Sequence, residues 1–113
     1  MKRDETPLLT AARLDEAREL GAKLARLRIA RRITQADAAT RAGLARSTAA
    51  LIENGNIGRT QAQILRYLDA IAPGVSLLAV LQETDPSLLA LSARELTKRA
   101  RSLSNTELKK LDF

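Results

Sequence analysis

Six basic side chains crowd one short stretch of this chain. Arg18, Lys23, Arg26, Arg28, Arg31 and Arg32 all fall within residues 18–32, against a single acid, Glu19. Guanidinium and ammonium groups pair with phosphate and carboxylate oxygens, so the chemistry such a stretch offers is anion binding. Catalytic chemistry is poorly provided for. The chain contains no Cys and no His. That excludes a thiol nucleophile, a histidine base, a Ser-His-Asp triad, disulfides and most zinc sites. Carboxylate or lysine chemistry remains open in principle, but no constellation of such residues stands out. We therefore expect no enzyme, no cofactor and no metal.

The overall balance supports the anion-binding reading. The 113 residues carry 19 Lys and Arg against 13 Asp and Glu, a net charge of +6. An excess of that sign favours DNA, RNA or an anionic membrane as partner. The bland alternative is an ordinary solvated helix face, and a phosphate-facing helix needs support from its neighbours. Hydrophobic residues make up 45% and aromatic residues 2%. A core of Leu, Ile and Ala suits interlocking helices in one small domain. No apolar run approaches the ~20 residues of a bilayer span, and Met1-Lys2-Arg3-Asp4-Glu5 lacks the apolar core of a signal peptide. A soluble, cytoplasmic protein with no membrane partner is expected.

The elements that must position the basic residues can be read from periodicity and caps. Residues 1–13 are expected to be a flexible arm, interrupted by Pro7, although a helical pattern begins near Thr10. Leu20, Leu24 and Leu27 recur at i, i+4 and i+7, with Leu14 and Ala17 on nearly the same stripe, and predict a helix to about Arg31. Thr34 caps a short second helix that Gly43 closes. A third runs from about Ser47 to Glu53 and stops at Asn54-Gly55. Thr60 caps a fourth, with Ile64, Leu68 and Ile71 inward, ended by Pro73-Gly74. Ser76 opens a fifth carrying Leu77, Leu78, Val80 and Leu81. Thr84-Asp85-Pro86-Ser87 reads as a boundary. Beyond it, Ser92-x-x-Glu95 and Ser104-x-x-Glu107 match capping boxes and predict two short helices.

Two short helices around a glycine turn, after a basic helix, outline a helix-turn-helix. The stretch from Ile33 to Gly55 resembles the Cro/lambda-repressor-type (XRE) family of DNA-binding regulators. The features that carry the resemblance are Thr34-Gln35, Ala39, Gly43 and Ile52-Glu53-x-Gly55. The flank Leu20-Gly21-x-x-Leu24-x-x-Leu27-Arg28 matches as well. The likeness covers about residues 18–83. It implies an all-α fold: a five-helix lambda-repressor-like helix-turn-helix domain over 14–83, with a short helical C-terminal extension over 84–113. The chain departs from the family pattern at Ala38, Ala49 and Ala45, where Leu, a β-branched residue and a Ser or Thr cap are usual.

The resemblance also implies roles. Arg28 and Glu53 form a buried ion pair tying the first helix to the end of the recognition helix. With Ala49 and Ile52 inward, Arg46, Ser47, Ala50 and Leu51 face the major groove. Arg46 can grip guanine O6 and N7 for ~1–3 kcal/mol of discrimination, and Leu51 can meet a thymine methyl or pack against a neighbour. Phosphate contacts are assigned to Thr34, Gln35, Arg31, Arg32, Asn54 and Arg59.

The expected partner is double-stranded DNA, read as a palindromic operator by a homodimeric repressor that acts on its own promoter. Residues 84–113, with Leu88, Leu89, Leu91, Leu96, the basic Lys98-Arg99-Ala100-Arg101 and a terminal Phe113, would supply dimerisation or partner binding. The alternative is an antitoxin that binds its operator and neutralises a toxin protein through that extension. A protein-binding adaptor is a weaker reading because Arg46 and the strongly basic first helix argue against it, and an RNA-binding or membrane-surface module because stacking aromatics and a strongly apolar face are lacking.

Overall fold

In the computed structural model, which describes residues 4–111 and their side chains as far as residue 100, each helix start follows from a local cap. Thr10 accepts from the Arg13 amide at 3.2 Å and opens α1, Ala11–Ala30. Thr34 accepts from the Asp37 amide and opens α2, Gln35–Ala42. Helix α3, Arg46–Glu53, starts without a side-chain cap because Ala45 has no oxygen to offer. Thr60 and Gln63 form a reciprocal capping box at the start of α4, Gln61–Ile71. Ser76 caps α5, Leu77–Gln82. Helix α6 runs from Pro86 to Leu111. There is no strand among the described residues.

The N-terminal arm is shorter than the sequence suggests. A 3-10 turn occupies Thr6–Leu8, and α1 begins at Ala11, so residues 11–13 belong to the first helix. Met1, Lys2 and Arg3 lie outside the described residues.

The C-terminal expectation of two capped helices is corrected to one helix. Asp85 begins it, with its Oδ2 accepting from the Ser87 amide at 2.9 Å and Pro86 at the first helical position, where a missing N–H costs nothing. No Gly or Pro follows between 87 and 111 to stop it. Ser92 and Glu95 are therefore mid-helix, and both face Arg26 of α1, at 3.0 and 2.8 Å. The side chains of Ser104, Glu107 and Phe113 lie outside the described residues.

Helices α1 to α5 enclose a core of Leu24, Leu27, Ala39, Ala49, Ile52, Tyr67 and neighbouring aliphatic residues. Leu88 is buried in the same core, so the first turn of α6 is part of the domain wall, not an appendage. Leu89 and Leu96 remain 58% and 65% exposed on its outer side.

Candidate nucleic-acid interface

The two helices of the motif meet at residues too small to keep them apart. Ala38, Ala39 and Ala42 of α2 and Ala49 of α3 are all buried. Gly43 makes the turn at φ +68°, a left-handed backbone that most residues adopt only at a cost. The Arg66 guanidinium then donates to the Ala42 and Gly43 carbonyls at 2.9 and 3.0 Å and satisfies the end of α2. Along α3, Ala49 and Ile52 face inward, Arg46 and Ser47 are exposed in the first turn, and Ala50 and Leu51 are half-buried.

The far end of α3 is held by backbone contact and by a charge network. A Cβ on Gly21 would sit 2.6 Å from the Ile52 and Glu53 carbonyl oxygens and the Gly55 nitrogen. Here α1 touches the α3 terminus main chain to main chain. Beside this contact, Arg28 Nε and Nη2 donate to the two Glu53 carboxylate oxygens at 2.7 and 3.0 Å. Arg28 Nη1 donates to the Ile33 carbonyl, Gln35 Nε2 donates to Glu53 Oε1 at 3.2 Å, and the Tyr67 hydroxyl donates to Glu53 Oε2.

The pair is largely withdrawn from water, with Arg28 and Glu53 side chains 14% and 7% exposed. Burial pushes the Glu53 carboxyl up, but Arg28, Tyr67 and Gln35 together outweigh it and hold it below its ordinary range. Burial and the adjacent Glu53 carboxylate push the Tyr67 phenol up. The bond to Glu53 raises Arg28 despite burial. The network ties α1, α2 and α4 to the C-terminal end of α3.

Most of the basic stretch expected to face phosphate is paired within the chain. Five of its six cations meet acids of this chain: Arg18 with Asp15, Lys23 with Glu83, Arg26 with Glu95, Arg28 with Glu53, and Arg31 with Asp85. Arg31, expected at a phosphate, donates to Asp85 Oδ1 at 2.8 Å. Burial raises the Asp85 carboxyl, but Arg31 and Ser87 outweigh it and the net shift is downward. Gln35, also expected at a phosphate, spends its amide on Glu53.

The remaining phosphate candidates are differently placed. The Thr34 hydroxyl caps α2 and the residue is exposed. Asn54 is exposed at the end of α3. Arg32 is exposed in a left-handed conformation at φ +58°. Arg59 is half-buried in the α3–α4 connection, and its Nε finds no acceptor among the described residues. Arg32, Arg41, Arg46 and Arg59, on or flanking α2 and α3, make no ion pair among the described residues.

Sequence reasoning missed three contacts: the Tyr67 bond to Glu53, the Asp85 pairing with Arg31 and the Gly21–Gly55 approach. Tyr67 carried a signal, since it is the chain's one Tyr and sits on the inward face of α4. Asp85 carried one too, as the residue before a helix-opening Pro.

A family model described as a helix-turn-helix domain fits residues 19–81, more than half of the chain. No curated protein and no solved structure matches.

Proposed function

The chain belongs to the helix-turn-helix family of the XRE/Cro-like type, and from that premise we propose that it is a sequence-specific transcriptional regulator acting on double-stranded DNA in the cytoplasm. The N-terminal half of α3 would enter the major groove, with Arg46 and Ser47 reading base edges and Ala50 and Leu51 making apolar contact. Arg32, Asn54, Arg59 and the N-terminus of α2 at Thr34 would hold phosphates. The observation that carries the proposal is the distribution of charge. Acids of the chain itself pair with the cations of α1, whereas Arg32, Arg41, Arg46 and Arg59 around α2 and α3 have no such partner among the described residues.

A homodimeric repressor of its own promoter is the simplest form, because two half-sites ~34 Å apart need a two-fold axis. Exposed Leu89 and Leu96 on α6 favour a partner surface outside the motif. That surface suits a second protomer, or in the alternative reading a toxin that an antitoxin of this type would neutralise.

The test is a titration against DNA from upstream of the protein's own gene and against random DNA, at two salt concentrations. The proposal expects a preference of about 10³-fold or more for the upstream DNA. Arg46→Ala should relax specificity at one base pair and leave the salt slope nearly unchanged, while Arg59→Ala should weaken all sequences alike. Equal losses on specific and random DNA would remove Arg46 from base reading. Absence of any salt-dependent DNA binding would sink the proposal.

A further inference from the structure

The turn between α2 and α3 is spanned by a side chain that belongs to neither helix. Arg66 reaches it from α4, and its Nη2 donates to the Ala42 carbonyl at 2.9 Å and to the Gly43 carbonyl at 3.0 Å. These two carbonyls bracket the left-handed residue. Rotation about φ of Gly43 swings the first, and rotation about ψ swings the second, because each rides on a rigid peptide plane. One nitrogen bonded to both opposes rotation about either bond. Gly43 also leaves room for it, since a Cβ there would stand 2.9 Å from Nη2.

The turn has few other holds of this kind. The Gly43 and Leu44 amides donate to the Thr40 and Ala39 carbonyls at 3.1 and 2.9 Å and close the end of α2. Among the described residues no side chain other than Arg66 forms a hydrogen bond with residues 42–45, and α3 begins without a cap at Ala45. No carboxylate of the described residues pairs with Arg66. Its charge lies at the C-terminal end of α2, where the helix dipole favours a cation.

We propose that Arg66 is a positioning residue for recognition: it locks the α2–α3 turn and so sets where Arg46 and Ser47, in the first turn of α3, stand relative to α2. Arg28, Gln35 and Tyr67 tie the other end of α3 through Glu53. A phosphate contact made by Arg66 itself is the rival role, and it is disfavoured because Nη2 already serves two carbonyls. The consequence for base reading rests on the DNA-binding reading above; the locking of the turn does not.

The test is Arg66→Met, which keeps an unbranched stem and removes the donor. Arg66 is exposed on α4, so the core stays intact. Amide hydrogen exchange reads the turn at Gly43, Leu44 and Ala49, whose N–H groups donate to the Thr40, Ala39 and Ala45 carbonyls. Protection there should fall about tenfold, the lower end of what charge-assisted bonds supply at an exposed site. The amides of Leu24, Leu27 and Leu68 should change much less. An equal fall at all six would be a global loss of stability and would overturn the proposal, as would unchanged protection in the turn. In DNA titrations the variant should bind its preferred sequence about tenfold more weakly, a loss the size of one mismatched base pair, and random DNA almost as before, at an unchanged salt slope. Equal losses on both, with the slope reduced by about one, would make Arg66 a phosphate contact instead. A loosened turn with undiminished discrimination would also refute the positioning role. If the parent binds no DNA at all, the functional reading fails while hydrogen exchange still decides whether Arg66 locks the turn.

Discussion

Gly21→Ala is the sharpest test of how the recognition helix is held. In an ordinary helix interior this change stabilises by about 1 kcal/mol, because Ala is the better helix former. Here the added methyl carbon would lie 2.6 Å from three main-chain atoms of the α3 terminus, where 3.4–4 Å is ordinary contact. Main chain cannot rotate aside as a side chain can, so α1 must retreat by most of an ångström. Leu24 and Leu27, 1% and 0% exposed on the same helix, would lose packing in that retreat. Overpacking of this kind costs about 1–3 kcal/mol and at times more. With three rigid contacts at once, the upper end applies and exceeds the propensity gain.

We expect a net loss of about 2 kcal/mol, read from the urea midpoint at unchanged m-value, or a melting temperature lower by roughly 10 °C. Gly74→Ala is the control: nothing lies within 4 Å of a Cβ there, so only the left-handed backbone at φ +81° opposes it, at about 1 kcal/mol. A Gly21→Ala protein as stable as the parent would refute the idea that main-chain contact sets the α3 angle.

Ala45→Ser should stabilise by about 0.5–1 kcal/mol, because the backbone at Ala45 already has the extended N-cap conformation and lacks only an oxygen; thermal unfolding reads it. Glu53→Gln should cost about 3–5 kcal/mol by leaving Arg28 buried beside a neutral group. The combination Arg28→Met, Glu53→Leu, Tyr67→Phe should recover most of that loss in urea unfolding, and no recovery would mean the network does more than join the helices. Acid should act through the same group. The folded Glu53 carboxyl lies below its ordinary 4.5 and Asp85 below 3.8. Their contribution is complete above those values and lost as pH falls through the folded ones. Unfolding measured from pH 6 to 2.5 should therefore show a steep acid limb that Glu53→Gln makes shallower.

What the sequence disclosed depended on distance along the chain. Thr34, Gly43 and Thr60 announce helix ends within a few residues of themselves, and the structure has its boundaries there. The Leu20–Leu24–Leu27 stripe needs only one helix to be meaningful. The pairing of Arg31 was hidden for the opposite reason: its partner, Asp85, is 54 positions away, and no local rule distinguishes a paired arginine from a free one. Ser92 and Glu95 misled because the same residue types serve as a capping box at a helix start and as hydrogen-bonding partners in its middle. Arg26 uses both of them, and an uninterrupted helix from Pro86 is the result.

These pairings alter what a net charge of +6 means. The most basic segment of the chain is spent on its own acids: Glu83 ends α5, and Asp85 and Glu95 belong to the start of α6 and its third turn. Those contacts lay α6 against α1 and bring Leu88 into the core. The excess cations then fall around α2 and α3, and on the outer part of α6 at Arg94, Lys98 and Arg99. A charge count made along the sequence puts the polyanion surface on α1. The structure pairs the α1 cations within the chain instead, so on the proposed reading the field that would draw a nucleic acid comes from the motif that would read it. On this argument the arginines of α1 serve recognition only indirectly. Arg28 ties α1 to the end of α3, and Arg26 and Arg31 hold the helix whose first turn completes the core beneath it.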